Sequence, residues 1–147
     1  MSLIEELQKR EEHGQPIRVG VIGAGKFASM FVAQVRTTPG LHILGICDLD
    51  PSRAEEMLFR TGYSREQSTA RSFEQALTKR SVHLTDDAQS LITANGLDVI
   101  VDATGDPIAG VHHALTCFKA GRHMVMVNVE ADALAGPFLA RKAREAG

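Results

Sequence analysis

Tryptophan is absent from this chain and tyrosine occurs once, so the aromatic platforms on which single-stranded nucleic acids stack their bases have almost nothing to be built from. An excess of charge is lacking as well. Sixteen lysines and arginines face eighteen aspartates and glutamates, a formal charge of -2, which gives no electrostatic reason to expect nucleic acid or an anionic membrane as partner. No apolar run approaches the roughly 20 residues of a membrane span, and the charged start Met1–Arg10 lacks the apolar stretch of a secretory leader. The expected address is cytoplasmic. Cysteine is scarce: Cys47 and Cys117 stand far apart, without C-x-x-C spacing, inside apolar runs. They read as reduced core thiols rather than as a disulfide or metal ligands.

What remains is an ordinary globular composition, 44% apolar and 23% charged over 147 residues, enough for one domain with a real core. The most informative stretch is Ile17 to Ala28, I-R-V-G-V-I-G-A-G-K-F-A. Val19, Val21 and Ile22 supply the β-branched residues of a buried strand, and Gly23 and Gly25, with Ala24 between them, let the chain reverse tightly. Lys26 and Phe27 then open a helix whose free amide groups can face a pyrophosphate. Ala28 stands where the third glycine of G-x-G-x-x-G usually does, a position that has only to let helix and strand pack closely.

Leu3, Ile4 and Leu7 fall on one face of a short amphipathic leader helix that His13-Gly14-Gln15-Pro16 breaks. That stripe either packs back on the domain or makes a subunit contact. Residues 1–16 therefore read as leader and linker, and residues 17–147 as a dinucleotide-binding domain. Within it the pattern predicts a helix over Phe27–Arg36, a strand over Leu41–Cys47, and a helix capped by Asp50 with Pro51 in its first turn. Tyr63–Arg80 is polar and irregular, with an extra helix capped by Ser72. A short strand Ser81–Leu84, a helix after Asp87, a buried strand Val99–Ala103 and a helix Ile108–Ala120 closed by Gly121 follow. A last strand His123–Val129 and a final helix Pro137–Glu145 complete the chain. Strands alternating with helices predict an α/β fold, a Rossmann-type doubly wound parallel sheet with helices on both faces. Ligands in such a sheet bind beyond the carboxyl ends of the strands.

Asp48 ends the second strand twenty positions after Ala28. Its carboxylate reads as the acceptor for the adenosine ribose hydroxyls, and it favours NAD because it repels the extra phosphate of NADP. Arg53 pairs with that phosphate if it points inward and is otherwise a solvated helix residue, so the expected cofactor is NAD or NADP. Thr104-Gly105 places a hydroxyl and an unobstructed backbone beside the ribose or nicotinamide, whereas Asp106-Pro107 reads as a helix cap. Asn128, Glu130 and Asp132 lie at the mouth of the last strand, where one of them orients a substrate or accepts a proton, or all stand as solvated turn residues. Adjacent His112 and His113 point about 100° apart on a helix and cannot chelate one metal; surface and helix-packing roles are expected for them. His42, His83 and His123 are isolated, with no serine, cysteine or carboxylate at a triad spacing. No metal site and no catalytic acid or base is evident.

The first strand and glycine turn, D-V-I-V-D-A-T-G-D-P at Asp98–Pro107 and V-M-V-N-V-E-A-D at Val125–Asp132 together resemble the nucleotide-binding half of homoserine dehydrogenase-like oxidoreductases. Within that group the likeness is to the subgroup with a C-terminal SAF domain, which includes 1-deoxy-D-xylulose 5-phosphate reductoisomerase-like proteins. The resemblance implies that Gly23, Ala24, Gly25, Lys26, Phe27 and Ala28 form the phosphate turn. It also implies that Asp48 is the ribose acid and that Ala103, Thr104 and Gly105 form the loop near the nicotinamide. Such relatives commonly carry asparagine-lysine after the last strand, whereas Val129 follows Asn128 here, which fits the subgroup better. The resemblance further implies a substrate domain beyond residue 147 and a homo-oligomer at full length.

Two functions follow. One is the NAD(P)-binding domain of an oxidoreductase that transfers a hydride between the nicotinamide and a small hydroxy or carbonyl metabolite, a domain that alone binds cofactor and turns over little. The other is a free-standing dinucleotide-sensing module that acts through the leader helix or the Tyr63–Arg80 segment.

Overall fold

The computed structural model describes residues 1–147. In chain order the elements are α1 (Leu3–Glu12), β1 (Ile17–Ile22), α2 (Lys26–Val35), β2 (Leu41–Cys47), α3 (Pro51–Arg60), α4 (Arg65–Ser68), α5 (Phe73–Lys79), β3 (His83–Thr85), α6 (Ala88–Ile92), β4 (Val99–Asp102), α7 (Pro107–Lys119), β5 (His123–Met126) and α8 (Val129–Ala146). The five strands form one sheet in the order β3-β2-β1-β4-β5, every pairing parallel. The chain first winds outward from β1 to β3, then crosses to β4 on the other side. This reversal opens a crevice above the carboxyl ends of β1 and β4.

Alternation along each strand divides the core into two layers. Val19 and Val21 of β1 and Val101 of β4 pack with Ala28, Val32, Ala54, Met57 and Leu58 of α2 and α3. Ile22 and Ile100 face the opposite layer, with Leu91 and Ile92 of α6 and Cys117 of α7. Strand β2 breaks the alternation, because Ile43 and Ile46 share the first layer. The pairing with β1 slips by one residue there, from Val19↔Ile43 to Gly20↔Gly45, and that bulge restores the phase. A side chain on Gly45 would strike Phe73 and Leu91, 2.7 and 2.8 Å away, so the small residue seats α5 and α6 on the sheet.

Helix α1 starts with a capping box in which Ser2 and Glu5 bond each other's backbone. Of its apolar stripe Leu7 is buried, while Leu3 and Ile4 are exposed. Glu11 accepts the Gly40 N–H at 2.7 Å and grips the Arg80 guanidinium with both oxygens, at 2.6 and 2.7 Å. Gly40 precedes β2 and Arg80 precedes β3, so the helix straps the amino ends of the strands, opposite the crevice.

Two expectations change at the C-terminal end. The last strand stops at Met126 rather than Val129, and the final helix starts at Val129 rather than Pro137. The Asn128 side chain accepts the Ala131 N–H at 3.0 Å, and this cap outcompetes the strand preference of the flanking valines. Pro137 lies inside the helix, where its missing N–H leaves one carbonyl of the preceding turn without its helical donor. Within Tyr63–Arg80, Ser64 also caps a single turn, α4, that the sequence pattern does not announce.

Candidate functional site

The turn after β1 is fixed by its neighbours. Gly23 has φ 102°, a conformation that excludes most side chains. A Cβ there would also meet the Ala103 carbonyl 3.0 Å away, so two strand ends approach to backbone contact. Its N–H donates to the Cys47 carbonyl at 2.7 Å, and the Ala103 N–H donates to Ile22 at 2.8 Å. Gly25, the N-cap of α2, has ordinary extended angles, φ -84° and ψ -161°. Neither backbone strain nor crowding within the chain therefore demands glycine there: a methyl on Gly25 would meet only the Arg53 guanidinium, 3.8 Å away, and what the bare residue provides is room. Gly105 likewise faces open space. Both positions leave backbone bare toward the crevice.

No acidic residue or side-chain cap occupies the start of α2, so the amides of its first turn, at Lys26 and Phe27, keep their partial positive charge for an anion. A cleft of about 360 Å³ lies beside them, lined by Ala24, Gly25, Lys26 and Ser29 together with Arg53 and Arg60 of α3. Ala28 is fully buried at the base of the helix. Phe27, partly exposed, stacks on Phe31 with centroids 6.2 Å apart. Arg53 is thus solvent-exposed and yet aimed over the glycine turn. A larger hollow, about 830 Å³ between α7, β5 and α8, lies away from these amides.

Asp48 is half-buried at the end of β2. One carboxylate oxygen accepts the Ala24 N–H at 2.9 Å and the other the Asp50 N–H at 3.0 Å. The side chain therefore pins the glycine turn to the β2–α3 turn and holds a fixed negative charge between them.

A second polar cluster, which sequence spacing does not disclose, sits at the ends of β4 and β5. Asp102 is wholly buried and accepts from the Thr104 N–H and hydroxyl at 2.9 Å each, and from His113 Nδ1 at 2.8 Å. Burial alone pushes its pKa up; the bonds from His113 and Thr104 outweigh that and hold the carboxyl below its ordinary value. Asn128, also buried, donates to Thr104 Oγ1 at 3.1 Å and to the Asp106 carbonyl at 2.7 Å. Gly110 of α7 makes room for it, since a Cβ there would come within 2.5 Å of its amide nitrogen. The expectation of only surface and packing roles for the paired histidines needs correction: His112 is exposed, while His113 bonds a buried carboxylate. The one available signal was an acid closing the apolar run V-I-V-D, a group that must find partners when buried. Glu130 and Asp132 are exposed in the first turn of α8, with Asn128 turned inward beside them.

His42, His83 and both thiols are structural. His42 Nε2 lies 2.8 Å from the Ser81 carbonyl, and His83 Nδ1 2.7 Å from that of Ala70. Burial pushes Cys47 up to about 11 and Cys117 up to about 12, which leaves both unreactive near neutrality.

Residues 17–127 match the GFO_IDH_MocA model, described as an oxidoreductase family with an NAD-binding Rossmann fold. The chain belongs to this family. Solved structures agree on the fold. The WlbA dehydrogenase of Bordetella pertussis, in complex with NADH and UDP-GlcNAcA, superposes with a TM-score of 0.65 at 19% identity over 90% of this chain and 35% of that one. Biliverdin reductase of Synechocystis, bound to biliverdin and NADP+, gives 0.64 at 20% identity over 90% and 36%. The oxidoreductase yvaA of Bacillus subtilis gives 0.65 at 22% over 89% and 32%. The chain spans about a third of the length of these proteins. No curated protein matches it.

Membership in the GFO_IDH_MocA family corrects the expected kinship. The D-V-I-V-D-A-T-G-D-P and V-M-V-N-V-E-A-D segments resemble homoserine dehydrogenase-like and reductoisomerase-like proteins, yet the family that matches is a different one. The likeness rested on strand ends and turns around a dinucleotide, features that Rossmann-fold enzymes share whatever they act on. The family's fold is described as NAD-binding, in line with the expected cofactor, NAD or NADP. The bare backbone at Gly25 and Gly105 and the unclaimed amides of α2 fit such a group. No helix is long and apolar enough to cross a membrane.

Proposed function

We propose that the chain is the cofactor-binding part of an oxidoreductase that moves a hydride between a nicotinamide and a small hydroxy or carbonyl metabolite. The observation that carries this reading is the pair of open glycines, Gly25 and Gly105, set on either side of the crevice and flanked by Asp48 and Thr104. In it Gly23, Ala24, Gly25, Lys26, Phe27 and Ala28 hold the pyrophosphate, Arg53 adds a cation above it, and Asp48 receives the adenosine ribose. Ala103, Thr104 and Gly105 form a shelf for the nicotinamide half, and Asn128 and Glu130 border the place where a substrate would enter. The bound dinucleotide supplies the hydride chemistry; the chain's own residues bind it, orient it and keep its reactive face clear. A carboxylate pinned by two N–H groups at Asp48 opposes a phosphate on that ribose, which favours NAD over NADP.

Calorimetry with NADH and NADPH tests this directly. NADH is expected to bind, and more tightly than NADPH. Asp48→Asn, which keeps size and one acceptor oxygen but removes the charge, is expected to narrow the gap. If neither nucleotide binds at millimolar concentration, the reading fails; if NADPH binds more tightly, the preference does.

A further inference from the structure

The cluster beneath the nicotinamide shelf has a polarity that can be read bond by bond. Asp102, anionic and buried, has no proton to give and can only accept. The Thr104 hydroxyl lies 2.9 Å from it and must donate to it, which leaves only its lone pairs facing Asn128 Nδ2 at 3.1 Å. Asn128 must then present its amide nitrogen toward Thr104 and the Asp106 carbonyl, and its oxygen toward the Ala131 N–H. The same Asp102 backbone carbonyl accepts the N–H groups of Val127 and Asn128 at 2.9 and 3.0 Å. His113, from α7, closes the chain from the far side by donating Nδ1–H to the second carboxylate oxygen, the donor that lets the charge stay buried.

We propose that Asp102 and His113 are positioning residues for the nicotinamide half of the cofactor: because every bond points toward the Asp102 carboxylate, from His113 on one side and from Asn128 through Thr104 on the other, they hold the Thr104-Gly105 shelf at one height and one orientation. This rests on the dinucleotide reading above. Neither side chain touches the cofactor in this assignment. Thr104 and Gly105 do the touching, and their orientation is inherited; the Asn128 amide, buried and fully bonded within the protein, braces them from behind. The adenosine half, held by Gly25, Asp48 and Arg53 on the far side of β1, lies outside the chain of bonds.

That asymmetry supplies the test. ADP carries the adenosine and pyrophosphate of NAD and lacks both the nicotinamide and its ribose, so the ratio of NADH to ADP affinity isolates the shelf. Calorimetry suits the measurement, since the chain has no tryptophan to report binding. His113→Leu is expected to weaken NADH about tenfold and to leave ADP within about twofold. His113→Asn, whose amide nitrogen falls near the place of Nδ1, is expected to restore most of the ratio. Should the leucine variant not fold, Asp102→Asn keeps the volume, takes away one acceptor and is expected to give the same selective loss. An unchanged ratio in these variants, or an equal loss for both ligands, overturns the assignment while leaving the dinucleotide reading intact. If the unaltered protein binds neither ligand, the dinucleotide reading falls and the assignment with it.

Discussion

Arg53 bears on which anion the glycine turn takes. Its guanidinium lies over Gly25, 3.8 Å from where a Cβ would be, which in the proposed function sets the cation above the pyrophosphate and not beside the ribose. Arg53→Ala is accordingly expected to weaken NADH and NADPH alike, by about tenfold or ~1.4 kcal/mol, in a titration of each. A loss confined to NADPH would instead return the residue to the role of a 2′-phosphate partner. Neighbouring glycines differ in the same instructive way. Gly23 is glycine for its angle and Gly25 for its emptiness, and the letter G conceals which. The sequence pattern locates such a turn reliably because both demands are met by one residue type. It did not locate the Asp102–His113 pair, because their meeting depends on how α7 lies against the end of β4, and no short-range spacing encodes that.

At the scale of elements, the strands that sit between others were the most legible. Leu41–Cys47 matches its expected bounds, because a strand buried on both faces reads as an unbroken apolar run. The edge strand was misjudged by three residues, because Val127 and Val129 look like strand while Asn128 takes the helix cap. Another join is held by a single side chain. Arg122, just before β5, donates Nε to the Ile92 carbonyl, Nη1 to Leu97 and Nη2 to Ala94, at 2.9, 2.9 and 2.7 Å. One guanidinium thus satisfies the carbonyls at the end of α6 and in the loop that follows. Arg122→Ala is expected to destabilise the domain by about 3 kcal/mol, read from the midpoint of urea unfolding. Arg122→Lys, a point charge without the planar fork, is expected to recover only part of that.

For the whole molecule, the strap formed by α1 makes stability depend on acidity. The bonds from Arg80 and from the Gly40 N–H bring Glu11 down from 4.5 to about 2. As pH falls, the unfolded chain therefore takes up this proton before the folded one does. The contribution is complete above about pH 4.5 and fades toward pH 2. Because both side chains are well exposed, solvent screening limits the pair to about 1 kcal/mol. Glu11→Gln is expected to lower the unfolding free energy near neutrality by that amount, read from denaturant titration, and the difference from the unaltered protein is expected to close as the measurement moves from pH 5 to pH 2. A difference that stayed constant across the range would assign the effect to packing of α1 and not to the carboxylate.

Strand β5 is hydrogen-bonded on one side only. Its His123 N–H donates to Asp98, and the Val127 N–H just beyond it donates to Asp102, so odd-numbered residues turn their backbone toward β4 and the even ones turn it outward. Met124 and Met126 thus present amide hydrogens along the hollow beneath α8. In hydrogen exchange those two are expected to lose protection quickly, while Val125 between them stays slow; uniform protection across all three would show that the margin is covered. The sheet is open-ended on this flank, a valence kept by the molecule as a whole, and a further strand laid parallel to β5 would find its donors and acceptors already in register.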